Sequence, residues 1–503
     1  MKKVTVSIED FKSLNIFKFI TDEKIRGQVI DIIEAVAPFL NAINGEFREY
    51  TLHDLGHSYR VAKYMDQIAL GIKPETIESH KSSFSDFEYA LMIISAVLHD
   101  IGMHYTEEDE NRIKTEKKLY LDKFTYNGIL KALRKDDPGA TERQAVHEVI
   151  RRLHHVRMAE YLNKDEIKRH LLLCNSIDFS HVVEMICKAH GENYSFVKDL
   201  ESHNVYADYE YDTRFIAALL RIADLLDIDN QRTPILWYHI HKPKGISDIE
   251  WKKHFSVTNN EKISEAEGRL KVSFFGESNL PKIHRAYLKF LEVLRRELIN
   301  AKDLLEEGSS HEYILSTNIE NKIKTDGFDF VDLRLNLDYN SITELLMGAN
   351  IYHDRRLGLR ELIQNSIDAC KLRLERVKAN VLNPYSPRIT LEISKEKGYV
   401  RLIDNGTGMD LNIIKNYFLN VGISYYNSDE FDHQDYRYKP IGKFGIGFLA
   451  CYLLSDKVTV KSKYFKSNES IQIELERGSE YVVTKHDTDI DYAGTEIMRN
   501  YFL

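Results

Sequence analysis

Apolar positions along the chain recur with two different periods. Val29, Ile32, Ile33, Val36 and Leu40 fall three and four apart, which predicts a helix within residues 1–45. The same spacing returns at Val61, Tyr64, Met65 and Ile68, and again at Phe215, Leu219, Ile222 and Leu226, so residues 52–232 read as almost wholly helical. Residues 89–98 are apolar all round apart from Ser95, as a central buried helix would be, and are too few to cross a bilayer. The pattern then changes. Residues 237–241 and 270–274 read as strands, and 249–255 alternate weakly in the same sense. A long charged helix follows over 281–306, with Ile283, Tyr287, Phe290, Leu291 and Leu294 on one face. Beyond a boundary near Gly308, helices mix with predicted strands at 388–394, 399–403, 457–464 and 470–475, the pattern of an α/β sandwich. Four regions are expected: an N-terminal helical segment (1–45), an all-helical domain (46–235), a β-containing insert with a connector helix (236–310), and an α/β domain (311–503).

Composition changes this picture little. At 503 residues the chain is long enough for two to four domains, and 43% hydrophobic residues are ample for their cores. A formal net charge of −9 gives no overall attraction to a nucleic-acid backbone, although it leaves room for a local basic groove. Cys174, Cys187, Cys370 and Cys451 are scattered without a CxxC pair, which argues against a disulfide framework or a thiolate metal site. With no signal peptide and no membrane span in view, a cytoplasmic protein without a membrane partner is the expectation.

The helical region places His and Asp at the interior ends of apolar helices. His57 lies in the first of them, His99 and Asp100 end the most apolar one, and His154, His155, His190 and Asp224 follow. Carboxylates are rarely buried unless paired or metal-bound, and imidazole with carboxylate suits manganese, iron, zinc or similar cations. In order and type, these residues resemble the HD phosphohydrolase superfamily. The resemblance implies a first metal set of His57, His99, Asp100 and Asp224. It implies a second set completed by His155 and His190, with His154 as the alternative to His155 and Asp100 as a bridge and catalytic residue. Its members cleave phosphoesters of nucleotides, so a nucleotide or nucleic-acid substrate is expected. His53 and Asp54 read as supporting or helix-capping residues, Asp227 and Asp229 as helix-end charges, and Arg60 and Lys63 as surface charges.

The C-terminal region carries a second constellation. Glu361 and Asn365 are four apart on a predicted helix, and Asp368 continues their face; magnesium favours such oxygen ligands. A strand ends at Asp404, and Gly406, Gly408 and Met409 follow it. Gly442, Gly445 and Gly447 precede Phe448 and an apolar helix, where free amides can face phosphate. Thr495 opens a closing strand. Taken in this order, over about the last third of the chain, these elements resemble the GHKL superfamily in its heat-shock protein 90 form. ATP and Mg²⁺ are therefore the implied cofactors. Glu361 would orient or deprotonate water, Asn365 would hold magnesium beside Asp368, and Asp404 would accept from the adenine amino group. Gly406, Gly408, Met409 and Thr495 would line the nucleotide, with Gly442, Gly445, Gly447 and Phe448 by the phosphates. Residues 420–439 would form a lid. Leu372 departs from the family's usual lysine. The family usually supplies a phosphate-contacting Arg or Lys from a following middle domain, and none is read in this sequence. The resemblance therefore implies a homodimer or larger assembly, or a partner protein that supplies this residue. Joined, the two halves imply an ATP-binding and ATP-hydrolysing protein coupled to a metal-dependent phosphohydrolase. The competing readings are a chaperone-like scaffold with a silent HD domain, and a nucleotide sensor.

Overall fold

The computed structural model describes residues 6–48, 50–115, 124–171, 178–206, 209–243, 245–259, 261–328, 355–377, 385–394, 396, 398–420, 422–434, 436–442, 445, 455, 457–476, 483–486 and 490–500. The chain forms two compact units. The first comprises Met1–Glu116 with Thr141–Asp332, and the second Lys117–Ala140 with Leu333–Leu503. Among the described residues, no helix is long and apolar enough to cross a membrane.

The first unit is built round helices that begin with strong caps. α1 (Glu23–Glu46) starts at Asp22, whose carboxylate accepts the amides of Lys24 and Ile25. α2 (Leu55–Leu70) starts at Asp54, which accepts from the His57 amide. α3 (Asp86–Leu98) opens with a capping box between Ser85 and Glu88 and is buried from Phe87 to Leu98. Helices α1 and α2 pack against α3, and α4 (Glu107–Thr115) comes next in sequence. α5 (Tyr126–Asp136) belongs to the second unit. The chain returns through α6 (Glu142–Leu162), α7 (Ser180–Ala189) and α8 (Thr213–Leu226); α7 and α8 pack on each other and on α3.

Three features differ from the pattern expected of the sequence. A short antiparallel hairpin, β1 (Asn204–Tyr206) with β2 (Tyr209–Tyr211), interrupts the otherwise helical region. Residues 237–241 lie in a helix, α9 (Ile235–His241), which Pro234 starts and a left-handed Lys242 closes. Residues 249–255 lie in α10 (Gly245–Phe255). Here Trp251 and Phe255, four apart, pack as a helical pair, and Tyr238 lies over Phe255 at 5.3 Å. The strand reading rested on alternation, but the burial follows the helical spacing. β3 (Ile263–Ala266) and β4 (Arg269–Ser278) then pair antiparallel, α11 (Pro281–Gly308) follows, and β5 (Leu315–Thr325) returns parallel to β4. Although β5 follows the boundary expected at 310, it therefore belongs to the first unit.

The second unit is one helix-backed antiparallel sheet. β6 (Ile389–Ser394), β7 (Tyr399–Asp404), β8 (Lys457–Lys463), β9 (Ser470–Glu476), β10 (Val483–His486) and β11 (Gly494–Asn500) lie in the order β10-β9-β8-β11-β7-β6. α12 (Arg355–Val377) contributes Leu362 to a core with Leu402, Ile414, Val458, Val460 and Ile473. Val458 and Val460 of β8, and Ile471, Ile473 and Leu475 of β9, alternate toward that core, as a one-faced sheet requires.

Candidate metal centre and nucleotide pocket

Five helices bring the HD residues together. His57 comes from α2, His99 and Asp100 from the end of α3, His154 from α6, His190 from the end of α7, and Asp224 from the last turn of α8. Asp100 Oδ2 lies 3.2 Å from both His57 Nε2 and His99 Nε2, while its Oδ1 lies 3.3 Å from His154 Nε2. Asp224 Oδ1 approaches His57 Nε2 at 3.3 Å and His99 Nε2 at 4.0 Å. Three groups with metal-ligand spacing result: His53, His57 and Asp100; His57, His99 and Asp224; and Asp100, His154 and His190.

The hydrogen bonds at the opposite ring nitrogens decide what these imidazoles can do. Nδ1 of His57 faces Asp227 at 2.6 Å, that of His99 faces the Ala96 carbonyl at 3.0 Å, and that of His154 faces the Arg151 carbonyl at 2.6 Å. His190 Nδ1 faces the Cys187 carbonyl. Each Nδ1 meets an acceptor and can carry the hydrogen, the tautomer in which all four Nε2 atoms are free to ligate a cation. Yet His57 and His99 bring Nε2 atoms within 3.2 Å of each other, and His154 and His190 within 2.7 Å. Facing lone pairs repel unless a cation lies among them. Asp224 Oδ1, moreover, is buried without a hydrogen-bond donor. The donor set thus fits divalent cations. Burial, reinforced by neighbouring histidines, lowers His154 to about 4 and His190 to about 3, which keeps both neutral and able to ligate. At His57 burial and Arg232 oppose charge, but Asp100, Asp224 and Asp227 outweigh them and raise the group to about 10; these atoms call for a positive charge.

The structure separates residues that the sequence left open. His154 joins the cluster; His155, on the same helix, lies under Gly191 and faces Glu192 at 3.6 Å. Adjacent helical residues point about 100° apart, so only one of the two can face Asp100. His53, read as a supporting residue, meets Asp100 directly at 2.6 Å. Asp227 is no solvated helix-end charge: it is 1% exposed and clamped between His57 and Arg60, whose Nε donates to it at 2.6 Å. Asp229 is equally buried and pairs with the buried Lys262 at 2.7 Å. Arg60 is thereby part of the site's support, whereas Lys63 pairs with Glu261 near the surface.

In the second unit a cavity of about 530 Å³ opens between α12 and the sheet. Glu361 and Asn365 line it from the helix, Asp404 and Thr495 from adjoining strands, and Gly408 and Met409 from the turn after β7. Gly442 and Gly445 also line it. Asp404 is 4% exposed; its Oδ1 accepts the Gly406 amide and its Oδ2 the Ser366 hydroxyl, each at 2.9 Å. Burial raises its pKa to about 6 despite those bonds. Gly408 has φ +60°, and a Cβ there would meet the Lys463 carbonyl, so only glycine fits beside the pocket floor. Gly406 and Asp368 do not line the cavity. Gly406 supports Asp404, and Asp368, fully buried, accepts the Gly442 amide at 2.8 Å and the Ile441 amide at 3.0 Å. Asp368 therefore anchors the glycine segment. Gly447 and Phe448 lie outside the described residues. Arg376, Tyr425 and Tyr426 also line the pocket; the two tyrosines lie in the expected lid, but nothing in the spacing of the three marks them as lining residues.

Comparison with known proteins agrees with both halves. The family model HD-CE matches residues 47–300, and a model described as "Histidine kinase-, DNA gyrase B-, and HSP90-like ATPase" matches residues 356–498. The chaperone protein HtpG of Hydrogenovibrio crunogenus is 30% identical over 166 residues, covering 32% of this chain and 26% of the relative. That of Alcanivorax borkumensis is 33% identical over 132 residues, covering 25% and 21%, and that of Orientia tsutsugamushi 34% over 154 residues, covering 29% and 24%. The chain thus spans only about a quarter of the length of these curated relatives. Helices that converge on a histidine–aspartate cluster, joined to a helix-backed sheet over a glycine-rimmed cavity, and matched as such from 47 to 300 and from 356 to 498, place this chain in the HD-CE family with an HSP90-like ATPase domain behind it.

Proposed function

We propose that the chain is an ATP-controlled, metal-dependent phosphohydrolase acting on nucleotides or nucleic-acid phosphoesters. The observation that carries this reading is the convergence of four imidazole Nε2 atoms on Asp100 and Asp224, a donor set of the kind that suits divalent cations. His57, His99 and Asp224 would hold one cation and His154 and His190 the other, with Asp100 shared and His53 beside it. A cation pair so placed supplies a nucleophile from water at neutral pH and charge for phosphoryl oxygens. The chain's own contribution is orientation. Asp227 and the backbone carbonyls fix each ring's tautomer, and Arg60 fixes Asp227.

In the nucleotide pocket, Asp404 would accept from the adenine amino group while Ser366 and Gly406 hold the carboxylate still. Met409 and Thr495 would flank the base, and the amide of Gly445 would face phosphate beside Gly442, whose own amide Asp368 holds. Asn365 would ligate Mg²⁺, and Glu361, near its entrance, would orient or deprotonate water.

The test is a metal assay on the purified chain together with a hydrolysis panel of nucleotides and phosphodiesters, run with and without ATP. Two divalent transition-metal ions per chain, and a phosphohydrolase activity lost in the double variant His99→Ala with Asp100→Ala, are expected. A metal-free chain that captures partner proteins only with ATP would replace this reading by an ATP-controlled scaffold.

A further inference from the structure

The second unit is discontinuous, and its smaller piece lies inside the stretch matched to HD-CE. α5 sits between α4 and α6 in sequence, within residues 47–300, yet it packs with the nucleotide domain. What it packs on is the segment between β7 and the glycine-rich turn, the expected lid. The Thr125 amide, one residue before α5, donates to the His433 carbonyl at 2.9 Å. Gly128 lies so close that a Cβ would overlap the same carbonyl at 1.9 Å. Ile129 is completely buried, and Lys135 pairs with Asp432 at 2.8 Å.

From that contact an unbroken run of packed groups leads to the pocket. Phe431, two residues from His433, stacks with Tyr425, Tyr426 and Tyr436 at 5.9, 5.5 and 5.3 Å. Arg376, on α12, donates to the hydroxyls of Tyr436 at 2.9 Å and Tyr464 at 3.0 Å, and also to that of Tyr425. Arg376, Tyr425 and Tyr426 themselves line the cavity. A nucleotide there would share the cavity with this cluster.

At its other end α5 leads directly to the metal centre's helix. Asp137 closes a tight turn by accepting the amides of Gly139 and Ala140 at 2.9 Å, and Arg134 Nε donates to the Ala140 carbonyl at 3.3 Å. Thr141 then caps α6, which carries His154. Only the five-residue turn 137–141 separates the helix that packs on the expected lid from the helix that carries His154.

We propose that α5 is the output element of the nucleotide domain: a helix lent by the HD-CE region to the lid, through which occupancy of the ATP pocket sets the state of the metal centre. The proposal rests on the nucleotide reading given above, and supplies the regulation that reading lacks. A two-state lid that favours one placement of α5 with nucleotide and another without it suffices.

Hydrogen exchange on the full-length chain, with and without Mg²⁺ and the non-hydrolysable analogue AMP-PNP, tests it, with binding measured in parallel by calorimetry. Amides of 125–136 are expected to slow at least about threefold on binding, together with those of the lid. In Gly128→Val, whose side chain would displace the His433 carbonyl, AMP-PNP should still bind while the α5 response disappears. Binding with a lid response but unchanged exchange over 125–136 in the wild type overturns the coupling and leaves the nucleotide reading standing. A wild-type chain that binds no AMP-PNP overturns both. The wild-type comparison is decisive even if the valine variant does not fold.

Discussion

Asp404 combines two demands that conflict. Under the proposed function its carboxylate would accept from an adenine amino group, most strongly when charged, yet burial raises its pKa from 3.8 to about 6. The sign follows from linkage: the folded state holds this proton more tightly than the unfolded chain does. The group therefore favours folding below about pH 4 and opposes it increasingly as pH rises through 6. Asp404→Asn should remove that penalty. Urea melts at pH 7 should show equal or greater stability, by up to about 3 kcal/mol, while calorimetry shows AMP-PNP affinity lower by at least about 100-fold. In the wild type, affinity should weaken as pH falls below 6. A variant that binds as well as the parent would remove Asp404 from the adenine site. Asp404 was legible because it follows a strand and precedes two glycines. Asp227 was not, since its reason for being buried, His57, lies 170 positions away and only the fold brings them together.

Where two backbones meet closely, one glycine decides the spacing. A Cβ on Gly102 would lie 2.1 Å from the His154 carbonyl and 2.7 Å from the Met158 amide, so the turn after α3 touches the backbone of α6. That contact sets the distance between Asp100 and His154. Gly102→Ala should destabilise the first unit by about 1–3 kcal/mol and loosen the group that contains His154 and His190. Metal content per chain should fall by about one ion, measured by atomic spectroscopy beside a urea melt. Full occupancy in that variant would show that the contact does not position the cluster. Elements with a buried stripe, such as α2, α3 and α8, could be read from spacing alone. The helices α9 and α10 could not, because aromatic residues at short intervals satisfy a strand and a helix equally until Pro234 and the Trp251–Phe255 pair are placed. The position of α5 was hidden for a different reason. Its apolar stripe shows that something covers it, but carries no information about which domain does.

Among the described residues, the two units carry one candidate ligand site each, of different chemistry. Chelation by EDTA should lower the melting transition of the first unit, and Mg²⁺ with AMP-PNP at about 100 times its Kd should add about 2.7 kcal/mol to the second. If α5 couples them, reciprocity requires that nucleotide change cobalt affinity by the same factor as cobalt changes nucleotide affinity. Paired calorimetric titrations check this, and unequal factors would mean that the two measurements do not report one equilibrium.

The interleaving of the two units also bears on how the chain is made. Residues 117–140 leave the ribosome long before their packing partners in 333–503. At about 5–20 residues per second the wait lasts roughly 20–70 s. During that time Ile129 and its neighbours lack the cover they will have later, and α6 has already been synthesised beyond them. Expression of 333–503 by itself would create the converse problem, an uncovered patch around Phe431 and His433. The nascent protein must therefore keep one helix in reserve until the C-terminal segment that covers it has been made.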